Sequence, residues 1–229
     1  MFRNLLDILF PRKCPICGRR LLPDEDCVCL RCLMALPRIH AEHPDNVVEH
    51  RVFGRVPYEH GTSFCYYSPQ GVVAEVIRRA KYHGMPWLNA NLTHIFLREL
   101  CLASSLWPYD VDCIVPIPVH WRRRLSRGYN QSMAIAEQLA SEWQLPVEDG
   151  CLVKSRFTTS QVGLRREERL RHVDDSFCVR HPERLQGRHV LIVDDVLTTG
   201  STIMAASDAL RASVPDIRIS FLTLVMTSE

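Results

Sequence analysis

The sequence contains no apolar stretch long enough to cross a lipid bilayer, which takes about 20 residues for a helix. It also has little excess of either charge, because 28 Lys and Arg residues against 26 Asp and Glu residues give a formal net charge of +2. Such a chain lacks a broad attraction for nucleic acid, although local basic patches are compatible with it. Internal repeats and low-complexity segments are absent. These absences predict a soluble, cytoplasmic globular protein with no membrane span.

Common signatures of nucleotide-binding proteins and covalent enzymes are missing as well. Neither the GxxxxGK[ST] sequence of a P-loop nor the GxGxxG sequence of a dinucleotide fold occurs. No serine or cysteine stands in a nucleophile signature, and the 10 histidines show no metal-ligand or catalytic-triad spacing. Any phosphate site in this chain must therefore be of a different type.

The first ten residues have a helical pattern and not that of a targeting signal. Phe2, Leu5 and Leu9 share one helical face, while Asp7 interrupts the apolar stretch and no small-residue cleavage site follows. We expect a short helix that packs on the following domain. A membrane-surface anchor is the alternative.

Two Cys-x-x-Cys pairs follow within a short segment rich in Pro, Arg and Cys. Each pair directs two thiolates to one point, so two pairs complete the tetrahedral shell of a structural zinc ion. Gly18 permits a tight turn after the first pair. Cys27 is a surplus candidate, but only Cys29 has the Cys-x-x-Cys spacing to the last cysteine. Redox-active or simply buried cysteines are the alternatives. The predicted zinc ligands are Cys14, Cys17, Cys29 and Cys32.

The pattern predicts a helix and zinc finger over 1–36, an irregular linker over 37–57 and an α/β domain over 58–229. Helix-like and strand-like segments alternate in that domain, which is typical of an open parallel sheet with helices on its faces. The predicted strands are Val111–Ile117, His189–Val193 and Ile217–Met226, and the predicted helices cover Val72–Ala80 (ended by Gly84), Asn89–Ala103, a segment opened by Ser132, and Ile203–Leu210.

The segment Val190–Thr202 carries the main functional signal. Four apolar residues predict a buried strand, and Asp194 and Asp195 stand at its carboxyl end, where they can accept hydrogen bonds from ribose hydroxyls. A hydroxyl-rich turn then enters a helix, whose N-terminal amides and dipole favour a phosphate, and Gly200 lets the backbone approach closely. A solvated acidic pair before a well-capped helix is the alternative. The predicted ligand-binding residues are Asp194, Asp195, Val196, Leu197, Thr198, Thr199, Gly200, Ser201 and Thr202.

This segment closely resembles the motif with which type I phosphoribosyltransferases bind 5-phosphoribosyl 1-pyrophosphate (PRPP). Other segments resemble the ComF family, the competence-associated family that includes ComFC and the DNA-utilisation protein GntX. They are the two Cys-x-x-Cys pairs, Ala80–Gly84, Val115–Pro118, Arg127–Gln131, Gln161–Leu164 and Arg169.

The resemblance implies a type I phosphoribosyltransferase fold and two further functional loops. The loop that holds pyrophosphate maps to Pro118–Arg124, and the flexible loop that closes over the site maps to Thr158–Asp174. His172 departs from the family pattern, in which an asparagine is expected at this position. The candidate residues are Val119, His120, Arg122, Arg123 and Arg124 in the pyrophosphate loop, and Gln161, Arg165 and Arg169 in the flexible loop.

Arginines crowd both of these loops, and arginine binds phosphate oxygens in a bidentate manner. A solvated basic surface is the alternative for each cluster. A path for a nucleic-acid backbone, with Trp121 or Tyr129 as a stacking surface, is a further alternative. Lys81 is another candidate that could reach the pocket, unless it only complements a helix dipole.

Two functions are compatible with these motifs. The first is a phosphoribosyltransferase that binds Mg²⁺-PRPP and positions it for attack by an amine or base, in DNA uptake or utilisation during natural competence. The second is a non-catalytic module that senses PRPP or a nucleotide and binds single-stranded DNA or a helicase-like partner. No motif identifies an acceptor.

Overall fold

The structure is a computed structural model that describes residues 12–25, 28–39, 46–54, 57–82, 91, 93–95, 98, 110–119, 129–154 and 177–228. The predicted N-terminal helix and Cys27 lie outside these residues. Residues 91, 93–95 and 98 are helical, as predicted for Asn89–Ala103. None of the helices among the described residues has the length and apolar character that crossing a membrane requires.

Helices and strands alternate along the described chain. In order they are α1 (Leu30–Met34), α2 (Val47–Val52), β1 (Gly61–Tyr67), α3 (Val72–Tyr82), β2 (Cys113–Pro116), α4 (Gln131–Trp143), β3 (Leu152–Lys154), β4 (Phe177–Val179), β5 (His189–Leu197), α5 (Ser201–Ser213) and β6 (Arg218–Thr227). A single-turn 3-10 helix spans Pro182–Arg184.

The main sheet contains four parallel strands in the order β1-β6-β5-β2. In the register of β5, Val193 pairs with Leu222 of β6 on one side and with Pro116 of β2 on the other. Residues Val190–Val193 are fully buried, as the sequence predicts for a central strand. Because the strands are parallel, their carboxyl ends meet at one edge, where open α/β sheets bind their ligands.

Helices cover both faces of this sheet, which confirms the predicted architecture. Val76 of α3 and Leu139 of α4 belong to the apolar core on one face. Val52 of α2 and Leu210 of α5 belong to the core on the other face. Leu36, which follows the cysteine-rich segment, is buried in the first of these cores, so that segment is anchored to the sheet domain.

The expected irregular linker, 37–57, contains α2, which packs on the sheet domain. The Asn46 side chain accepts hydrogen bonds from the first amides of α2 and donates one to the carbonyl of Gly61. Val48 and Val52 are both 0% exposed because they pack into the core beneath α5. The expectation of irregular structure is wrong at α2, while the proposed domain boundaries remain predictions.

The observed elements also differ from the predicted ones at their ends. β5 continues past Val193 to Leu197 because β6 extends beside it and supplies hydrogen-bond partners, so the two acids lie within the last part of the strand. α4 begins at Gln131, one residue before the predicted start, because the Asn130 side chain caps it by accepting from the amide of Ser132. β1 and the antiparallel pair β3–β4 were not predicted.

Candidate functional site

Asp194 is held in place at the carboxyl end of β5. Its side chain is 9% exposed, and its Oδ1 accepts hydrogen bonds from the Ser132 hydroxyl at 3.0 Å and from the Asp195 amide at 2.8 Å. Ser132 lies in the first turn of α4, so the helix that follows β2 orients an acid on the neighbouring strand. A buried carboxylate fixed in this way can present its remaining acceptor positions to a ligand without a large loss of side-chain entropy.

The turn after β5 leads directly into α5. Gly200 has a φ of +82°, a left-handed conformation that favours glycine, and it occupies the N-cap position of α5. As a glycine, this N-cap residue supplies no side-chain hydrogen bond to the helix. Thr199 Oγ1 accepts a hydrogen bond from the Ser201 amide at 3.4 Å. The first-turn amides of α5 therefore face an exposed, hydroxyl-rich turn, and such a helix start favours an anion.

α2 packs against this turn and supports it. The sequence did not predict this contact. Arg51 donates hydrogen bonds to the carbonyl oxygens of Thr198 at 3.0 Å and Thr227 at 3.1 Å. A Cβ atom built on Gly200 would lie 2.8 Å from Cγ1 of Val52. The predicted phosphate-binding turn is thus packed against α2 and tied to the end of β6. In the sequence, these contacts depend only on Arg51 and Val52 in a short helix. Such a pair cannot be recognised as a contact site without a known fold.

A cleft of about 670 Å³ opens beside Asp195. Its lining also includes Val196 and Thr198, residues of the turn after β1 and of α3, and Thr227 at the end of β6. The cleft is therefore at the carboxyl edge of the sheet, and it shares three residues with the predicted motif.

The connection between β2 and α4, which includes the predicted pyrophosphate loop, begins and ends next to β5. Ile117 donates its amide to the carbonyl of Val193, and Asn130 Nδ2 donates to the carbonyl of Ile117 at 3.1 Å. Both ends of the connection between β2 and α4 are therefore fixed beside β5. Val119 is described at the start of this connection. His120, Arg122, Arg123 and Arg124 lie outside the described residues.

The remaining predicted residues are placed only in part. β3 and β4 pair in an antiparallel manner and flank 155–176, which includes the predicted flexible loop with Gln161, Arg165, Arg169 and His172. That loop lies outside the described residues. Lys81 is in the last turn of α3, but its side chain is not among those the structure describes.

The four predicted zinc ligands come together as expected. The sulfur atoms of Cys14, Cys17, Cys29 and Cys32 all lie within 4.8 Å of one another. Four converging thiols are the donor set of a structural metal site such as that of zinc, with every position supplied by protein. The cluster could therefore bind a metal.

Local backbone structure makes this convergence possible. Gly18 has a φ of +72° and donates its amide to the carbonyl of Cys14, which closes the turn of the first pair. Cys29 is the N-cap of α1 and donates its amide to Cys14 Sγ at 3.5 Å. Burial opposes ionisation of Cys14, but hydrogen bonds from the amides of Cys29, Cys17 and Ile16 outweigh it and lower the pKa to about 7. An amide-stabilised thiolate is the form that binds a metal.

A small apolar core accompanies the cysteine cluster. Leu21 and Val28 are buried together with three of the four cysteines, and only Cys17 is exposed. Glu25 accepts hydrogen bonds from the amides of Leu22 and Leu30, both at 2.7 Å, which lower the pKa of its carboxyl group. A core of this size is too small to stabilise the segment by apolar burial alone.

Comparisons with known proteins agree with this geometry. The family described as "Phosphoribosyl transferase domain" matches residues 129–228, which include α4, β5, the turn and α5. DNA utilization protein YhgH from Escherichia coli K12 is 28% identical over 196 residues, which cover 83% of this chain and 80% of the relative.

Two competence proteins are also similar. Competence protein F from Haemophilus influenzae is 28% identical over 138 residues, covering 59% of this chain and 60% of that protein. Competence protein ComFC from Bacillus subtilis is 24% identical over 160 residues, covering 69% and 62%.

One solved structure shows a weaker similarity. It is glutamine phosphoribosylpyrophosphate amidotransferase from B. subtilis complexed with ADP and GMP, with a TM-score of 0.37 and 18% identity over 58% of this chain and 25% of that chain. At this TM-score the likeness carries no conclusion about ligand or activity.

Proposed function

We propose that the chain binds PRPP or another ligand with a ribose 5-phosphate, because it is similar to competence and DNA-utilisation proteins and has a phosphoribosyltransferase domain behind its cysteine cluster. The 5-phosphate binds to the amides of Thr199–Thr202, and the ribose hydroxyls donate to Asp194 and Asp195. The observation that carries this proposal is a fixed, buried acid placed one short turn before a helix N-terminus whose N-cap residue is a glycine.

The proposal extends to phosphoribosyl transfer. An acceptor nitrogen would form a bond to the anomeric carbon as the bond from that carbon to pyrophosphate breaks. The arginines at 122–124 would neutralise the departing pyrophosphate, and Mg²⁺ bound with PRPP would supply further positive charge. The role of these arginines is inferred from the sequence alone. The contribution of the protein would be positioning and charge stabilisation, since nothing in the motif supplies a nucleophile.

The main test is calorimetry with PRPP and Mg²⁺, followed by an assay for pyrophosphate release with mixed bases and amines. We expect Asp194→Asn and Asp195→Asn to weaken PRPP binding about tenfold or more, because each removes a charged acceptor. Asp208→Asn is the matched control, since Asp208 is an exposed acid on α5 outside the site. If neither Asp194→Asn nor Asp195→Asn weakens PRPP binding, the proposed ligand geometry is wrong.

The same experiment separates an enzyme from a sensor. Release of pyrophosphate that depends on an acceptor identifies a transferase. Tight binding of PRPP without release for any acceptor identifies a ligand-sensing module instead.

We also propose that the cysteine cluster holds a structural zinc ion and that the protein acts in the cytoplasm. A tetrad of protein ligands leaves no open position for a catalytic water, which supports a structural role. Reduced thiols are maintained in the cytosol, which supports that compartment.

A role in DNA uptake or utilisation is supported by the printed names of the relatives. The exposed guanidinium groups of Arg19 and Arg31 on the cysteine-rich segment are candidate contacts for single-stranded DNA or a helicase-like partner. Fluorescence anisotropy with labelled single-stranded oligonucleotides at stepped salt concentrations tests direct binding. Affinity that falls as salt rises and that decreases in Arg19→Ala and Arg31→Ala supports a DNA contact, whereas no binding at low salt excludes it.

A further inference from the structure

A group of exposed apolar side chains lies on the cysteine-rich segment. Leu22, Leu30 and Met34 are 54%, 61% and 71% exposed. Leu30 and Met34 are one helical turn apart on α1 and share a face of it. The Glu25 carboxylate accepts hydrogen bonds from the amides of Leu22 and Leu30, both at 2.7 Å, and so holds Leu22 beside α1. We call this surface the leucine–methionine patch. Single exposed apolar residues are common, whereas a group of them indicates a contact surface.

The other large apolar side chains of this segment already have packing partners. Leu21 and Val28 are buried with the cysteines. Ile16 and Leu33 are half-buried and pack against a core of the sheet domain. Within the described part of the segment, the leucine–methionine patch is therefore the large apolar surface that stays exposed.

The backbone directs the preceding part of the chain to this patch. The segment at Arg12 runs antiparallel to the segment at Leu21, whose amide donates to the Arg12 carbonyl at 2.8 Å. An antiparallel pair points the chain before Arg12 towards Leu22. The Arg12 guanidinium supports this arrangement, because it donates to the carbonyl oxygens of Leu22 at 3.5 Å and of Glu25 at 3.1 Å. Residues 1–10 therefore join the described chain at the edge of the patch.

We propose that residues 1–10 cover the leucine–methionine patch with the apolar face of a helix. The sequence places Phe2, Leu5 and Leu9 on one helical face and Asp7 on the opposite one. A helix of this length extends about 15 Å, about twice the length of α1, so one face of it can span the whole patch. The three exposed side chains then add apolar burial to a segment whose own core is small.

The covalent connection favours this segment over other occupants. Only Pro11 separates it from Arg12, and so short a connection gives an effective concentration of the order of millimolar. A second copy of the protein, or a lipid surface, has to bind from solution without this advantage. The proposal therefore commits to a contact within one chain.

Photo-crosslinking in the full chain tests the contact. Leu5 is replaced by p-benzoylphenylalanine, and the products are mapped by mass spectrometry. Irradiation should join position 5 to the patch within one chain, above all to Met34, because the excited ketone reacts readily with C–H bonds beside sulfur. The yield should not change on dilution. The same replacement at Asp7, on the opposite helical face, is the matched control and should give several-fold less product.

Other crosslinking results would overturn the proposal. Products between two chains that disappear on dilution would assign the patch to a second copy. Products from position 5 that lie outside the patch, or equal yields from positions 5 and 7, would show that the apolar face does not cover it.

Labelling with a methionine-selective oxaziridine gives an independent readout. A covered Met34 should react no faster than the half-buried Met204 of α5, and it should react several-fold faster in Leu5→Asn, which removes an apolar contact. Asp7→Asn is the matched control and should leave the rate unchanged. Met226, which is 1% exposed, reports in the same spectra whether the sheet domain is folded.

The same labelling separates the alternative occupants. If Met34 of the unsubstituted protein is labelled rapidly in buffer, the patch is uncovered and the proposal is wrong. If labelling then slows only on addition of vesicles of anionic phospholipid, the patch contacts a lipid surface instead.

Discussion

The guanidinium group of Arg51 donates to the carbonyl oxygen of Thr198, a residue 147 positions later in the chain, at 3.0 Å. Its other Nη atom donates to the carbonyl of Thr227 at 3.1 Å. One side chain of α2 therefore ties the start of the predicted phosphate-binding turn to the end of β6. The carbonyl of Thr198 and the amide of Thr199 belong to one planar peptide, so fixing this carbonyl also fixes the direction of an amide proposed to bind phosphate.

Arg51→Ala should weaken binding of inorganic phosphate and ribose 5-phosphate by the same factor, about three- to tenfold, because the turn loses its charged hydrogen bond at Thr198 and its tie to the end of β6. Arg51→Lys keeps the charge but cannot span both carbonyls, so it should recover only part of the affinity. Calorimetry on the folded variants measures the effect. Arg211→Ala is the matched control, since Arg211 also donates to a backbone carbonyl, that of Pro57, but away from the turn. Full recovery with lysine would show that charge alone matters.

Gly200→Ala should destabilise the protein more than the same substitution at another glycine with a left-handed backbone conformation. A left-handed φ costs a non-glycine residue about 1–2 kcal/mol, and the contact with Val52 Cγ1 adds about 1–3 kcal/mol of overpacking. Gly150→Ala is the control, because Gly150 has a φ of +79° and a Cβ there meets nothing within 4 Å. The difference between the two free energies of unfolding in urea isolates the contact.

A second substitution tests the origin of that difference. Val52→Ala removes the atom that a Cβ on Gly200 would meet, so the double variant should lose less stability than the sum of the two single variants. If the changes in the free energy of unfolding are strictly additive, the side chains at positions 52 and 200 are not in steric contact.

The sequence was sufficient to predict the strand, turn and helix that hold the motif, because their signals are local. The apolar run before Asp194 and the helical spacing of Ile203, Ala206 and Leu210 each depend on neighbouring residues, and these side chains are buried as predicted. The cysteine cluster was predictable for the same reason, since the spacing within each pair fixes its geometry.

The support of the site was not predictable, because it depends on contacts between distant parts of the chain. α2 is six residues long, and only Val48 and Val52 mark its buried face, so no periodicity can be recognised. β1 was missed because Thr62 and Ser63 are polar and nevertheless fully buried. At its first residue, a Cβ on Gly61 would lie 2.2 Å from Cζ of Phe221, a packing requirement that only the folded sheet reveals.

Ser132→Ala should affect sugar recognition and leave phosphate recognition intact. The Ser132 hydroxyl, on a residue 2% exposed, donates to Asp194, so its removal should cost about 1–2 kcal/mol of stability and loosen the carboxylate. We expect weaker binding of ribose 5-phosphate and unchanged binding of inorganic phosphate, both measured by calorimetry. Ser141→Ala, an exposed serine on the same helix, is the control. If the affinities for both ligands fall equally, Asp194 contributes to phosphate binding or only to folding, and not to recognition of the sugar.

Removal of metal should unfold the cysteine-rich segment while the sheet domain stays folded. The core around Leu21 and Val28 is too small to hold four converging thiols without a bound ion, whereas the sheet has its own two cores. Metal analysis of the purified protein should give about one zinc ion per chain, since the ligand set is complete in one chain. Cys29→Ser should abolish zinc retention. Cys178→Ser, at an exposed cysteine of β4, should retain it.

After a chelator, amide exchange should increase at residues 12–35 and stay unchanged in β5, because only the first segment depends on the metal. Retained protection of 12–35 in protein freed of metal would show that the thiol cluster is held by packing alone.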